Sequence, residues 1–489
     1  MPFVPIVSDL ESIYDQTIIE KQALRWDNLY TRFADIYGHR PDFVVRAPGR
    51  VNLIGDHIDY QLFGVLPMAI SPDILIAVRT YGDDEDNADR GIEKEGRVRI
   101  NISNVNPRFV TREIELDMQK EGLVDIDASI LEWSNYFKSG LRGASTLLPP
   151  GSKLMNMELL VDGQVPTGGG LSSSSAFTCA SAMATLYGNG VDKIDKYELT
   201  NVAIVSERFV GVNAGGMDQT ASVFGERDAA LFIEFDPKLA VETVKFPSTS
   251  PPVCFVIAHS MVNSDKHETA PRNYNLRVVE TTLAAEILGK KWGVQVGDGD
   301  RLGTLKELCD KYVVKMGWSH ESMEKQLLQI EEESRRTFTE PEGYTREQVA
   351  EMLGVSMQTL VEKYLTKFPI EADKFKLQTR TTHVLLESAR VHAFRALLST
   401  PPLQTKQESY SFFQELGSLL DQSQVSSKLL CENSTPEIDE LCSLARQNGA
   451  NGARVTGKTF IYLFYFIFYF FLFLFIYFIL FFILFFILF

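Results

Sequence analysis

The sequence predicts an α+β protein of two lobes. Strand-like apolar runs crowd the first half of the chain, and helical periodicity dominates from about residue 272 to 400. A third feature, glycine-rich segments that leave a strand and open a helix, predicts where the chemistry lies.

Taken in order, residues 10–38 carry Leu10, Ile13, Leu24, Leu29, Phe33 and Ile36 at spacings that predict one or two helices. FVVRAPGRVNLIG, Phe43 to Gly55, reads as a short strand, a Pro-Gly turn and a second strand. Leu66 to Tyr81 has the β-branched content of a strand. Asp83 to Arg97 is rich in charge and reads as a solvated loop. Leu159 to Gly163 reads as the end of a strand, Met183 to Phe209 as mainly helix, and Ala229–Phe235 and Val253–His259 as buried strands.

At 489 residues the prior is two or three domains of roughly 150 residues each. A net charge of −16 argues against a nucleic-acid partner for the surface as a whole. Cys179, Cys254, Cys309, Cys431 and Cys442 are scattered, with no CxxC spacing. That excludes a disulfide framework or zinc site as the reading and suits a reducing compartment. The N-terminus shows no basic stretch followed by an apolar one, so a cytoplasmic location is expected.

Ile461 to Phe489 uses only Phe, Leu, Ile and Tyr. The run exceeds the ~20 residues that cross a bilayer, which would make it an anchor. No basic cluster flanks it, however, and four residue types are few even for a membrane span. Phe, Leu and Ile codons share a middle U, and Tyr codons begin with U. Gly457-Lys458 can be encoded by GGTAAG, an intron donor sequence. The expectation is therefore that residues 458–489 are intron read as protein and the exon ends near Gly457.

Three clusters carry chemistry. In VPTGGGLSSSSA, Gly168, Gly169 and Gly170 permit close backbone approach, and the apolar stretch from Leu171 starts a helix. Helix-start N–H groups and the dipole suit a polyphosphate, while Ser172, Ser173, Ser174 and Ser175 can cap the helix, bind phosphate or reach Mg²⁺. No GK[ST] closes the loop, so it is not a Walker loop. In RAPGRVNLIGDHIDY, Asp56, His57 and Asp59 could bind sugar hydroxyls, and Arg50 could stabilise phosphoryl charge; a solvated turn is the plainer reading of this stretch alone. In VGVNAGGMDQ, Gly215-Gly216 would leave Asp218 at a loop-to-helix junction, able to orient or deprotonate a hydroxyl or to cap the helix. Glu207, upstream, could supply a hard oxygen to Mg²⁺.

With all three in view, GRVNLIGDHIDY resembles the galactokinase signature, PTGGGLSSSSA the phosphate loop of the GHMP kinases, and GGMDQ that family's catalytic-aspartate segment. ETAPRNYNLRVVE (Glu268 to Glu280) and PEIDELC are similar to galactokinases of the fungal type, and the resemblance spans roughly Phe43 to Gly457. It implies a bilobal GHMP fold: a mixed-sheet lobe over 1–240 and a helix-rich lobe over 241–457 that looks truncated. It further implies ATP and Mg²⁺ as cofactors and galactose as substrate. Asp218 would act as base or orienter with Arg50 beside it; Asp56, His57, Asp59, Gly215 and Tyr274 would line the sugar pocket. Gly168 to Ser174 would wrap the phosphates, Ser174 and Glu207 would hold Mg²⁺, and Trp133 would lie near the adenine.

The chain departs from the family pattern in three places. Asp56 stands where Glu is usual, Leu430 to Thr435 lacks the Cys-containing form, and GARVTG (Gly452 to Gly457) is not followed by the glycine-rich Trp-Gly-Gly-Cys stretch. Two alternatives stay open: a galactose sensor that binds a transcriptional repressor, and an N-acetylgalactosamine kinase. Intact Ser174, Ser175 and Ala176 favour turnover over sensing, and Gly168-Gly169-Gly170-Leu171 favours galactose. Sequencing the mature transcript across Arg454 to Phe460 is expected to show Gly457 running into a glycine-rich segment; an apolar tail in the spliced message would overturn the intron reading.

Overall fold

The structure is a computed structural model that describes residues 2–82, 98–120, 122–130, 132–211, 215–260, 271–298, 301–366 and 370–457, and 459–464 as backbone. The Asp83–Arg97 loop, the residues 268–270 of the fungal-type segment, Lys458 and the apolar run beyond Phe464 lie outside the described residues.

A mixed five-stranded sheet organises the first half. Its strands are β1 (Phe43–Ile54), β2 (Leu66–Tyr81), β3 (Val98–Asn104), β4 (Arg112–Leu116) and β5 (Asn156–Gly163), in the order β1-β2-β5-β3-β4. Only the β3–β5 pairing is parallel. Strand alternation explains why β2 is apolar on both sides. Ile74, Ile76 and Val78 face the main core, whereas Leu75 and Ala77 meet Leu29 and Phe33 of helix α1 (Ile19–Tyr37).

Two sequence expectations change here. The predicted Pro-Gly turn in Phe43–Gly55 does not break the strand: β1 continues through Pro48-Gly49, and the extra residues of the register shift lie on β2, where Ile70 to Pro72 stand opposite Gly49. The N-terminal pattern does yield a helix, α1, but not all of its apolar residues are buried. Leu24 is 72 % and Ile36 49 % exposed, while Gln22, Arg25, Leu29 and Phe33 are buried.

Of helices α2 (Ser134–Ser145), α3 (Ser173–Gly188), α4 (Lys196–Glu207) and α5 (Met217–Phe224), α3 and α5 lie against β1 and β2, and α2 and α4 pack on α3. A hairpin of β6 (Ala229–Glu234) and β7 (Ala240–Lys245) joins the turn before β2, because Val65 and Ile233 exchange backbone hydrogen bonds. After β8 (Cys254–His259) the chain is mainly helical: α6 (Tyr274–Trp292), α7 (Leu305–Met316), α8 (Met323–Thr337), α9 (Arg346–Leu353), α10 (Leu377–Leu398), α11 (Lys406–Ser426) and α12 (Pro436–Gln447). Threonine and serine N-caps start several of these, with reciprocal capping boxes at Thr345/Gln348 and Thr405/Glu408.

The second half closes on β9 (Ala450–Thr456) and β10 (Thr459–Phe464), in a three-stranded sheet ordered β9-β10-β8. Residues 459–464, placed in the tail by composition, thus supply its middle strand. Among the described residues no helix is long and apolar enough to cross a membrane.

One buried charge cluster ties α1 to the sheet. Asp73 is fully buried and pairs with Arg25 Nη1 and Arg46 Nε, both at 2.5 Å, and Tyr14 donates to it at 2.8 Å. Arg25 also reaches Asp162 at 2.8 Å. Removing the shared anion leaves two guanidinium groups without it, and breaking such a buried pair costs about 3–5 kcal/mol. Asp73→Asn is therefore expected to lower the unfolding free energy extrapolated from urea denaturation by about that amount; a loss under ~1 kcal/mol would show that the cluster contributes little.

Candidate active site

Three segments distant in sequence meet where β1, α3 and α5 come together. On β1, Gly49 lies so close to the glycine loop that a Cβ there would lie 2.7 Å from Leu171 O, and the Arg50 N–H donates to that same oxygen at 3.2 Å. Gly457, at φ +63°, approaches from the other direction: a Cβ would lie 2.7 Å from Gly170 O. Residues 168–171 are thus fixed against two glycine backbones. Gly168 and Gly170 take φ of +72° and +73°, the left-handed region that glycine enters without a Cβ clash.

Arg50 joins the loop to the predicted catalytic aspartate. Its Nη1 donates to Gly170 O at 2.7 Å, and its Nε donates to Asp218 Oδ1 at 2.7 Å. The other Asp218 oxygen accepts the Ser172 hydroxyl at 2.6 Å. Ser172 precedes α3 at φ +59° and makes no capping bond, so the expectation that it caps the helix is corrected: its hydroxyl turns to Asp218. Ser173 and Ser174 sit half-buried in the first turn of α3, where N–H groups lack a partner carbonyl within the helix.

Glu207, the last residue of α4, is buried beside this corner and accepts from Ser175 Oγ at 3.0 Å and Gln219 Nε2 at 2.6 Å. Trp133 stacks on Phe177, with ring centroids 5.9 Å apart, which sets it beside the first turns of α3; its indole N–H donates to Val110 O.

The predicted sugar residues line the adjoining turn. Gly215 lies against Asp59 so tightly that a Cβ would sit 2.2 Å from Asp59 Oδ2. Burial, and then the neighbouring Asp218, push the Asp59 carboxyl up to about 7, against hydrogen bonds from the Tyr60 and Met217 N–H groups. His57 forms an aromatic group with Tyr274 and Tyr60, its centroid 5.4 Å from Tyr274, and its Nδ1 lies 3.2 Å from the Tyr60 hydroxyl. Burial lowers its imidazole to about 4, so the ring is neutral near pH 7.

Asp56 has partners that sequence reasoning did not single out. Asn433 Nδ2 donates to its carboxylate at 2.9 Å, Arg454 Nη2 lies 3.5 Å from it, and His383 meets its backbone carbonyl. The only available signal was the odd Leu430–Thr435 segment, which the sequence analysis left without a role at the site.

A profile of the galactokinase galactose-binding signature matches residues 31–80, and one of the GHMP kinases N-terminal domain matches residues 135–226. The galactokinase of Candida albicans is 40 % identical over 470 residues, covering 93 % of this chain and 87 % of that protein. That of Saccharomyces cerevisiae is 38 % identical over 461 residues, covering 89 % and 84 %. Among solved structures, Lactococcus lactis galactokinase complexed with galactose shares the fold at TM-score 0.60 and 22 % identity, over 90 % of each chain. With that identity across nearly its whole length, the chain belongs to the galactokinase family of GHMP kinases.

Proposed function

We propose that this protein transfers the γ-phosphoryl group of ATP to the anomeric hydroxyl of galactose. The observation that carries the reading is the Arg50–Asp218–Ser172 constellation at the start of α3. One carboxylate is held from two sides beside the helix start that suits a polyphosphate. Family membership supplies the substrate class, and the Asp56–Asp59 turn supplies acceptors for sugar hydroxyls.

In this reading the sugar O1–phosphorus bond forms as the bond from phosphorus to the leaving ADP oxygen breaks. Asp218 accepts the hydroxyl proton or its hydrogen bond, and Arg50 and Ser172 hold its two oxygens so that the carboxylate does not reorient. Arg50 also faces the charge that spreads over the transferring group. Residues 168–174 would wrap the phosphates, and Trp133 would flank the base.

Mg²⁺ delivered on nucleotide phosphates needs only one or two protein oxygens, and Glu207 and Ser174 would supply them. Among the described residues no group of three His, Cys, Asp or Glu side chains is gathered for a metal, which fits an ion that arrives with the nucleotide. That ion would neutralise phosphate charge.

Asp218→Asn keeps the shape of the carboxylate and removes its basicity. Galactose 1-phosphate formation is expected to fall at least about a hundredfold with galactose binding retained; near-wild-type turnover would remove Asp218 from the reaction. A second outcome concerns pH. A sugar hydroxyl that donates to Asp59 binds the ionised form, so galactose affinity should weaken as pH drops through about 7. Calorimetric titration should show this profile flattened in Asp59→Asn, and an unchanged profile would assign it to another group.

A further inference from the structure

The turn that carries Asp56 and His57 makes few of its polar contacts locally. From Asn52 to Asp56, backbone and side-chain groups are met by residues from the other end of the chain. Glu387, fully buried on α10, accepts the Gly55 N–H at 3.0 Å and the Asp56 N–H at 3.4 Å through one oxygen, which also accepts from Ser423 Oγ at 2.7 Å. Its other oxygen is held by Arg390 at 2.7 and 2.8 Å. One turn earlier on the same helix, buried His383 places Nε2 2.9 Å from Asp56 O and Nδ1 2.8 Å from Ser426 Oγ. A carbonyl only accepts, so Nε2 carries the proton and Nδ1 accepts from the serine.

From β9, the fully buried Arg454 donates to Asn52 O at 3.1 Å and Leu53 O at 3.0 Å and extends towards the Asp56 carboxylate. Asn433 reaches the same carboxylate oxygen from the loop before α12. Because that oxygen accepts, the Asn433 amide nitrogen must face it, and its own oxygen is left buried without a hydrogen-bond partner. The loop in turn is fastened by Arg277 and Arg380, which donate to Cys431 O and Leu430 O.

We infer that Glu387, His383, Arg454 and Asn433 are positioning residues for the sugar site: the first three fix the Asn52–Asp56 backbone, and Asn433 sets the direction of the Asp56 carboxylate. The inference rests on the proposed galactose reading. It explains how a chain with Asp at position 56 keeps a short side chain aimed: a second side chain meets it. Backbone that is fixed before the ligand arrives binds it without an ordering cost. The residues act on sugar binding through Asp56 and have no part in holding nucleotide.

The test measures galactose and ATP KM values, kcat and Tm of the full chain for Asn433→Ala, His383→Gln and Asp56→Ala, and for the double variant Asn433→Ala/Asp56→Ala. Losing one hydrogen bond to a charged group corresponds to roughly a tenfold change. Asn433→Ala is expected to raise galactose KM about tenfold with ATP KM and Tm unchanged, and to add no further loss in the Asp56→Ala background. His383→Gln keeps a donor for Asp56 O and should move galactose KM less than Asn433→Ala. Galactose KM within twofold of wild type in Asn433→Ala, an equal rise in both KM values, or full additivity with Asp56→Ala would each overturn the inference. Should His383→Gln fail to fold, the Asn433 and Asp56 cycle decides alone. Wild-type protein without galactose-dependent ADP release would sink the functional reading itself; wild-type turnover with indifferent Asn433 variants would sink only this inference.

Discussion

The Arg50 guanidinium links two segments that the chain order separates widely, donating to the Gly170 carbonyl from one nitrogen and to Asp218 from another. A planar fork can do this because its donors are fixed relative to one another. Its reach depends on β1 passing close to the glycine loop, with a glycine at position 49 where any Cβ would meet Leu171 O. The Ser222 hydroxyl donates to Pro48 O at 2.8 Å, so α5, which carries Asp218, is fastened to the same stretch of β1. Loop, arginine and aspartate therefore share one mechanical frame.

That frame concentrates negative charge. Asp218 and Asp59 lie near each other, and Arg50 is engaged with the first. Burial and the neighbouring Asp218 favour the protonated form of the second carboxyl, against hydrogen bonds from the Tyr60 and Met217 N–H groups.

The site was legible in the sequence where chemistry demands contiguous, unusual residues. A triple glycine, a serine run and Gly-Gly-Met-Asp can be read from one stretch, and Arg50, Ser172, Asp218, Asp59 and Gly215 do converge. The Pro-Gly pair misled, because here it runs on within a strand, opposite the extra residues Ile70 to Pro72 of β2. The pattern for α1 contained the buried Leu29 and Phe33 but not Gln22 and Arg25, which pair with Gln164, Asp73 and Asp162, polar partners that hydrophobic periodicity cannot show. Glu387 and His383 were hidden differently: α10 is buried on most of its surface, so no single face stands out, and their partners lie more than three hundred residues away.

The order β9-β10-β8 gives residues 459–464 a duty that composition alone does not suggest. A middle strand satisfies the backbone of both neighbours, here from Thr459 against Thr456 and His259 to Phe464 against Ala450 and Cys254. The stretch after Gly457 carries that duty: several residues of extended chain able to bond along both edges. A continuation that could not extend there would expose two strand borders at once, and exposed borders invite pairing between molecules. The stretch after Gly457 therefore decides whether the facing borders of β9 and β8 are paired or left open.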